Sequence, residues 1–305
     1  MKALVFPGQG SQAVGMGRDL FEAHQIVRNM YEEASAALGY DIAALSFEGP
    51  ADRLSQTDVT QPALLVNSVA VFRLLAGRGL RFDVALGHSL GEYSALVATG
   101  ALPFGEAVKI VRLRGDAMLA AARAHPGSMA AVLGLDDVRV EEICAGLADA
   151  WPANYNSPGQ LVVSGSRAGL ERLREQALAA GARKVVPLVV SGAFHSPYMA
   201  PAADALGAAL AAASWAAPSP RFFSVCTVAY ESAHLASLLR RQVTAPVRFT
   251  QSVRRLAADG ADAFLELGPG AVLCGLVRRI VPEAATARAG DVDSVGALDE
   301  MWFTP

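Results

Sequence analysis

The chain has 305 residues, 52% of them hydrophobic and 18% charged, with a formal net charge of −3. That length allows one large domain or two smaller ones with ample core, and the composition excludes a disordered chain. The slight negative balance argues against a nucleic-acid protein, three far-separated cysteines argue against disulfides, and five scattered histidines argue against a metal site.

Met1-Lys2 runs straight into Ala3-Leu4-Val5-Phe6, too short for the apolar core of a signal peptide. No apolar run is expected to reach the length of a membrane span, so a cytoplasmic chain without membrane contact is the expectation. Ala3–Phe6 reads as a buried strand, followed by the glycine-rich loop Pro7-Gly8-Gln9-Gly10-Ser11-Gln12. A dinucleotide fingerprint there would need a second strand ending in an acidic residue about 20 positions on, and a phosphate loop would need Gly-Lys-Ser/Thr. Neither occurs: Leu20, Ile26, Val27, Met30, Tyr31, Ala34 and Leu38 have helical spacing instead. The loop is left with free backbone N–H groups that can face something anionic.

Thr60-Gln61-Pro62 is predicted to open a long apolar helix, Ala63 to Leu75. A strand at Asp83–Leu86 then feeds Gly87-His88-Ser89-Leu90-Gly91-Glu92 and another helix. Strand, Gly-x-Ser-x-Gly and helix in that order make a nucleophile elbow. Its glycines let the turn close, its serine is held in a strained conformation, and the helix N–H groups point where an oxyanion forms. Glu92 falls in the first helical turn, where a carboxylate suits the helix dipole.

The next helix, Gly105 to Ala122, carries an apolar stripe through Ala107, Ile110, Val111, Ala117 and Met118, and Arg114 falls on it. A buried guanidinium needs an anion, so Arg114 has either an acidic partner or a route to the surface along its stem. From Met129 to Val190 the predicted order is strand, helix, two strands joined by Ser157-Pro158-Gly159, helix, strand. That βαββαβ succession is the ferredoxin-like unit, read as an insertion. Beyond it come a helix at Ala203–Ala212, a strand at Phe222–Cys226, a helix at Leu235–Gln242, a strand at Ala263–Leu267 and a last helix at Val272–Ile280.

A serine nucleophile needs a histidine within hydrogen-bond reach. His195, in the small-residue turn Ser191-Gly192-Ala193-Phe194-His195-Ser196-Pro197, is the best candidate. His24, His125 and His234 read as surface or boundary residues, and His88 is expected to line the pocket or support the turn.

Taken together the motifs resemble the malonyl-CoA:acyl carrier protein transacylases and the related acyltransferase domains of polyketide synthases. The matching pieces are Phe6 to Gln12, Gln61-Pro62-Ala63, Gly87 to Glu92, Arg112-Leu113-Arg114-Gly115, Asn156-Ser157-Pro158, Ala193 to Pro197, Pro246-Val247 and Gly268-Pro269-Gly270. They fall in family order from Lys2 to about Leu298. The elements and the resemblance imply an α/β fold: an α/β-hydrolase-like large domain with a parallel sheet core (1–126 and 194–305) and an inserted ferredoxin-like subdomain (127–193).

The resemblance also assigns roles. Ser89 would be the nucleophile and His195 the general base and acid, with the backbone N–H groups of Gln9 and Leu90 as the oxyanion hole. Arg114 would hold the malonyl carboxylate, which makes the substrate its anionic partner; in the free protein it is expected to be solvated in an open pocket. Phe194 resembles the Phe-His pair of malonyl-selective members, and Arg248 stands where several members carry a glutamine whose carbonyl orients the histidine. Malonyl-CoA and acyl carrier protein are the implied partners, with no cofactor, and the chain is expected to be a monomer. A trans-acting acyltransferase of a polyketide synthase would use the same chemistry. A serine hydrolase and a non-catalytic carrier-protein adaptor are the other readings; Arg114 speaks against the first and the Ser89/His195 pair against the second.

Overall fold

The computed structural model describes residues 1–304. Its strands are β1 (Lys2–Phe6), β2 (Val84–Gly87), β3 (Ser128–Leu133), β4 (Ala150–Ser157), β5 (Gln160–Gly165), β6 (Lys184–Pro187), β7 (Arg221–Ser224), β8 (Ala229–Glu231), β9 (Ala263–Leu267) and β10 (Ala285–Ala289). They make a six-stranded sheet ordered β10-β9-β1-β2-β7-β8 and a four-stranded sheet ordered β4-β5-β3-β6. In the larger sheet every pairing is parallel except that of β8 on β7.

Strand β1 shows why this sheet sits at the centre. Leu4 and Phe6 point into one core and Ala3 and Val5 into another, so the period of two buries both faces. The first core is closed by the helices Gln25–Leu38, Thr57–Gly77, Phe104–Ala124 and Ala200–Ala212, the second by Phe249–Ala258 and Val272–Ile280. Buried Glu266 in β9 accepts the N–H groups of Leu273 (3.1 Å) and Cys274 (2.8 Å), satisfying free donors at the start of the Val272–Ile280 helix.

The helix Thr57–Gly77 corrects two expectations. It begins three residues before Thr60 and takes Pro62 into its second turn, where the missing N–H removes a single bond. Its mean hydropathy of 1.4 over 18 residues also makes it long and apolar enough to cross a membrane, but 89% of that window is buried inside the protein. Two short edge strands, β8 and β10, were not expected at all.

The four-stranded sheet is antiparallel, with its central β3 between β5 and β6. Numbered within the unit its spatial order is 4-1-3-2, the ferredoxin-like arrangement. β4 fastens it to the larger body: Tyr155 N–H donates to Val247 O (2.9 Å) and Val247 N–H to Ala153 O (2.8 Å). The junction lies beside the carboxyl ends of β1 and β2, the end of a parallel sheet where ligands bind.

Candidate active site

Ser89 leaves β2 with φ 52°, a left-handed conformation for a non-glycine residue. The turn that imposes it cannot admit side chains. A Cβ on Gly87 would lie 1.8 Å from the Gly91 carbonyl carbon, and one on Gly91 would lie 2.0 Å from Phe6 O. The first loop closes over the same turn, since a Cβ on Gly8 would meet His88 O at 2.4 Å. That contact brings Gln9 to the elbow, and Gln9 and Leu90 both line the pocket over Ser89. Neither backbone N–H donates a hydrogen bond among the described residues, as an oxyanion hole requires.

His195, also at positive φ (57°), places Nε2 2.7 Å from Ser89 Oγ. Its Nδ1 faces two carbonyls, Gln242 O at 3.1 Å and Ala245 O at 3.0 Å. A nitrogen between two acceptors carries the proton, so Nε2 is the bare nitrogen that can take the serine's. Burial, reinforced by the charges of Arg114 and His88, pushes the imidazole down to about 3 and keeps it neutral at physiological pH.

Here the expectation for Arg248 is overturned. Its N–H donates to Val225 O (2.9 Å) and its carbonyl accepts from Ser252, starting the Phe249–Ala258 helix. A carbonyl committed to a helix end is not free to hold an imidazole, and the two carbonyls that do hold it come from the preceding turn.

Arg114 is 1% exposed, on the helix Phe104–Ala124, and its partners are neutral. Nη1 donates to Gln61 Oε1 (2.7 Å), and Nη2 to Gln242 Oε1 (3.0 Å) and Ser89 Oγ (3.1 Å). Neither an acidic partner nor a solvated pocket is what it has: the guanidinium is stripped of water and held by amide oxygens at the serine. Folding has already met its desolvation, which leaves strong demand for an incoming anion.

The pocket over these groups, about 100 Å3, is lined besides by Met118, Met129, Leu188 and Val190, with Phe194 beside the base. His88 lines it too, and its Nε2 lies 2.9 Å from Asn156 Oδ1 on β4, tying the elbow to the smaller sheet. Phe194 is fixed by its carbonyl, which accepts from Ser164 Oγ.

Neither Gln61 nor Gln242 carries a role legible in the sequence, where Glu92 reads only as a complement to a helix dipole. Glu92 is fully buried; its Oε1 accepts from Val225 N–H (2.7 Å) and its Oε2 from Gln242 Nε2 (2.6 Å). A signal for Gln242 existed, because it follows Leu235, Leu238 and Leu239 at helical spacing, as Arg114 does on its own stripe.

A serine activated by a neutral histidine can pass an acyl group between thiols, alcohols or water. The family model described as acyl transferase domain matches residues 3–298 and sets the class. The malonyl CoA-acyl carrier protein transacylase of Escherichia coli strain K12 is 42% identical over 305 residues, covering 98% of this chain and 99% of the relative. An acyl carrier protein S-malonyltransferase from Vibrio cholerae superposes with a TM-score of 0.95 at 43% identity, covering 98% of this chain and 99% of that one. A malonyl-transacylase solved in complex with a type II polyketide synthase acyl-carrier protein gives 0.93 at 40% identity, with 96% and 97% covered. The chain belongs to the malonyl CoA-acyl carrier protein transacylase family.

Proposed function

We propose that the chain carries a malonyl group from malonyl-CoA to the phosphopantetheine thiol of acyl carrier protein, through a malonyl-Ser89 intermediate, for fatty-acid synthesis. The observation that carries this reading is Arg114, a desolvated cation whose Nη2 lies 3.1 Å from the nucleophilic oxygen. An acyl group bearing a free carboxylate satisfies it, and a plain acyl group does not.

Ser89 Oγ attacks the thioester carbonyl as its proton passes to His195 Nε2, and the oxyanion forms against the N–H groups of Gln9 and Leu90. Each such donor contributes on the order of 10²–10³ in rate. His195 then protonates the departing coenzyme A sulfur. The carrier's thiol enters by the reverse route, with His195 first as base and then as acid. One chain holds every group this scheme uses, in keeping with a monomer.

The test is intact-mass spectrometry. Malonyl-CoA should add one malonyl group, and phosphopantetheinylated carrier protein should remove it by becoming loaded. Loss of the adduct to water faster than to thiol would favour a hydrolase. The likeness to a transacylase that serves a polyketide synthase carrier supports a second reading with the same chemistry, and comparing rates with the two kinds of carrier separates them.

Phe194 supplies a steric expectation. Its buried ring beside His195 would crowd an α-methyl branch, so malonyl-CoA should load in preference to methylmalonyl-CoA, and comparable loading would refute that assignment.

Carrier docking supplies an electrostatic one. Arg240 and Arg255 are paired with Asp204 and Asp259, while Arg183, Lys184, Arg241, Arg254, Arg278 and Arg279 are exposed cations available to an acidic partner. Transfer to the carrier should therefore weaken with salt more than acylation by malonyl-CoA does. Equal salt dependence of the two half-reactions would remove the argument.

A further inference from the structure

We propose that Glu92 and Gln242 act as a pair of positioning residues for acyl selectivity, with the Glu92 carboxylate fixing which end of the Gln242 amide faces Arg114. This rests on the malonyl reading and extends it to two residues that touch neither the acyl group nor the thiol.

Donors and acceptors decide how the amide is turned. Gln242 is 1% exposed, so its amide must find partners within the protein. One end faces Ser89 O at 2.7 Å and Glu92 Oε2 at 2.6 Å. Both are acceptors, so the NH2 group belongs there and Oε1 must face Arg114 Nη2, 3.0 Å away. Turned over, the amide would set its oxygen against a carbonyl and a carboxylate, and its NH2 against a guanidinium. Glu92 is itself pinned, because Oε1 accepts from Val225 N–H at 2.7 Å.

The carboxylate therefore acts on Arg114 at second hand, as the reason an acceptor lies beside Nη2. The same residue reaches the base, since Gln242 O receives the Nδ1 proton of His195. Burial pushes Glu92 up to about 7. The titratable groups around it are Arg114, whose charge opposes that rise, and the buried Tyr93 and Cys226. A protonated Glu92 becomes a donor, leaving Ser89 O and Arg114 alone to orient the amide, and the constraint on it is weakened.

The experiment measures kcat/KM for acylation by malonyl-CoA and by acetyl-CoA, taken as a ratio so that damage common to both cancels. In the wild type the ratio should fall as pH is lowered through about 7, because kcat/KM reports the free enzyme and the selectivity needs the ionised carboxylate. His195 serves both substrates and drops out of the ratio. Glu92→Gln and Gln242→Met should each lower the ratio ~10- to 100-fold at pH 8, the effect of a lost hydrogen bond to a charged group. In Glu92→Gln the ratio should also lose its pH dependence.

A variant that loses both activities in proportion, or a wild-type ratio flat from pH 6 to 8, would overturn the proposal. The wild-type profile decides the matter even where a variant does not fold. Failure of the wild type to load malonyl at all would instead remove the reading beneath it.

Discussion

Ser89→Ala protein mixed with malonyl-CoA should gain no malonyl mass, and His195→Ala should acylate at least ~10² more slowly, the usual worth of a positioned base. Both follow from one 2.7 Å contact in which the bare Nε2 meets the serine hydroxyl. The serine mutation removes the only nucleophile at the elbow. The histidine mutation leaves Ser89 in place, still touched by Arg114 Nη2, but with nothing to take its proton. Slow acylation of His195→Ala is thus compatible with the mechanism, whereas a malonyl adduct that persists on Ser89→Ala would end it.

Arg114→Ala should reverse the acyl preference. In the wild type the incoming carboxylate replaces a neutral hydroxyl as partner of Nη2 and makes charge-assisted bonds to a planar fork. Without the guanidinium the carboxylate is stranded in a mostly apolar pocket, a loss of about 3–5 kcal/mol by analogy with broken buried pairs. Malonyl transfer should drop on the order of 10²–10³. Acetyl transfer should be spared or rise, because the mutation frees a lone pair on Ser89 Oγ and removes a buried charge that acetyl cannot satisfy. Arg114→Lys should not restore the malonyl rate, since a single ammonium does not reproduce the fork. Parallel losses for both substrates would show that Arg114 is structural.

The elbow was legible in the sequence because its chemistry is local: two glycines, a serine, a strand before and a helix after. Arg114 was legible as a polar residue on an apolar stripe, although its partners were not, because Gln61 and Gln242 lie 53 and 128 residues away. Distance in sequence also hid the anchor of the base. His195 could be chosen from its turn, but which carbonyls reach it depends on how the turn after Gln242 packs, and the carbonyl expected from Arg248 is used by a helix instead. Strand β10 was missed for another reason. Ala285-Thr286-Ala287-Arg288-Ala289 does alternate, but its apolar positions are all alanine, a residue depleted in strands, and its place is set by pairing with β9.

The manner in which His195 is held bears on flux. Carbonyl dipoles, with no carboxylate, face Nδ1, so the imidazolium that forms in each half-reaction gains only their partial charges. It has every reason to give its proton back quickly, and a thiolate needs little persuasion to leave or to enter. Thioester goes in and thioester comes out, and the two halves mirror each other around Ser89. Such a catalyst equilibrates its acyl donors and carriers and drives neither. How much carrier is loaded then follows mass action among the thiols.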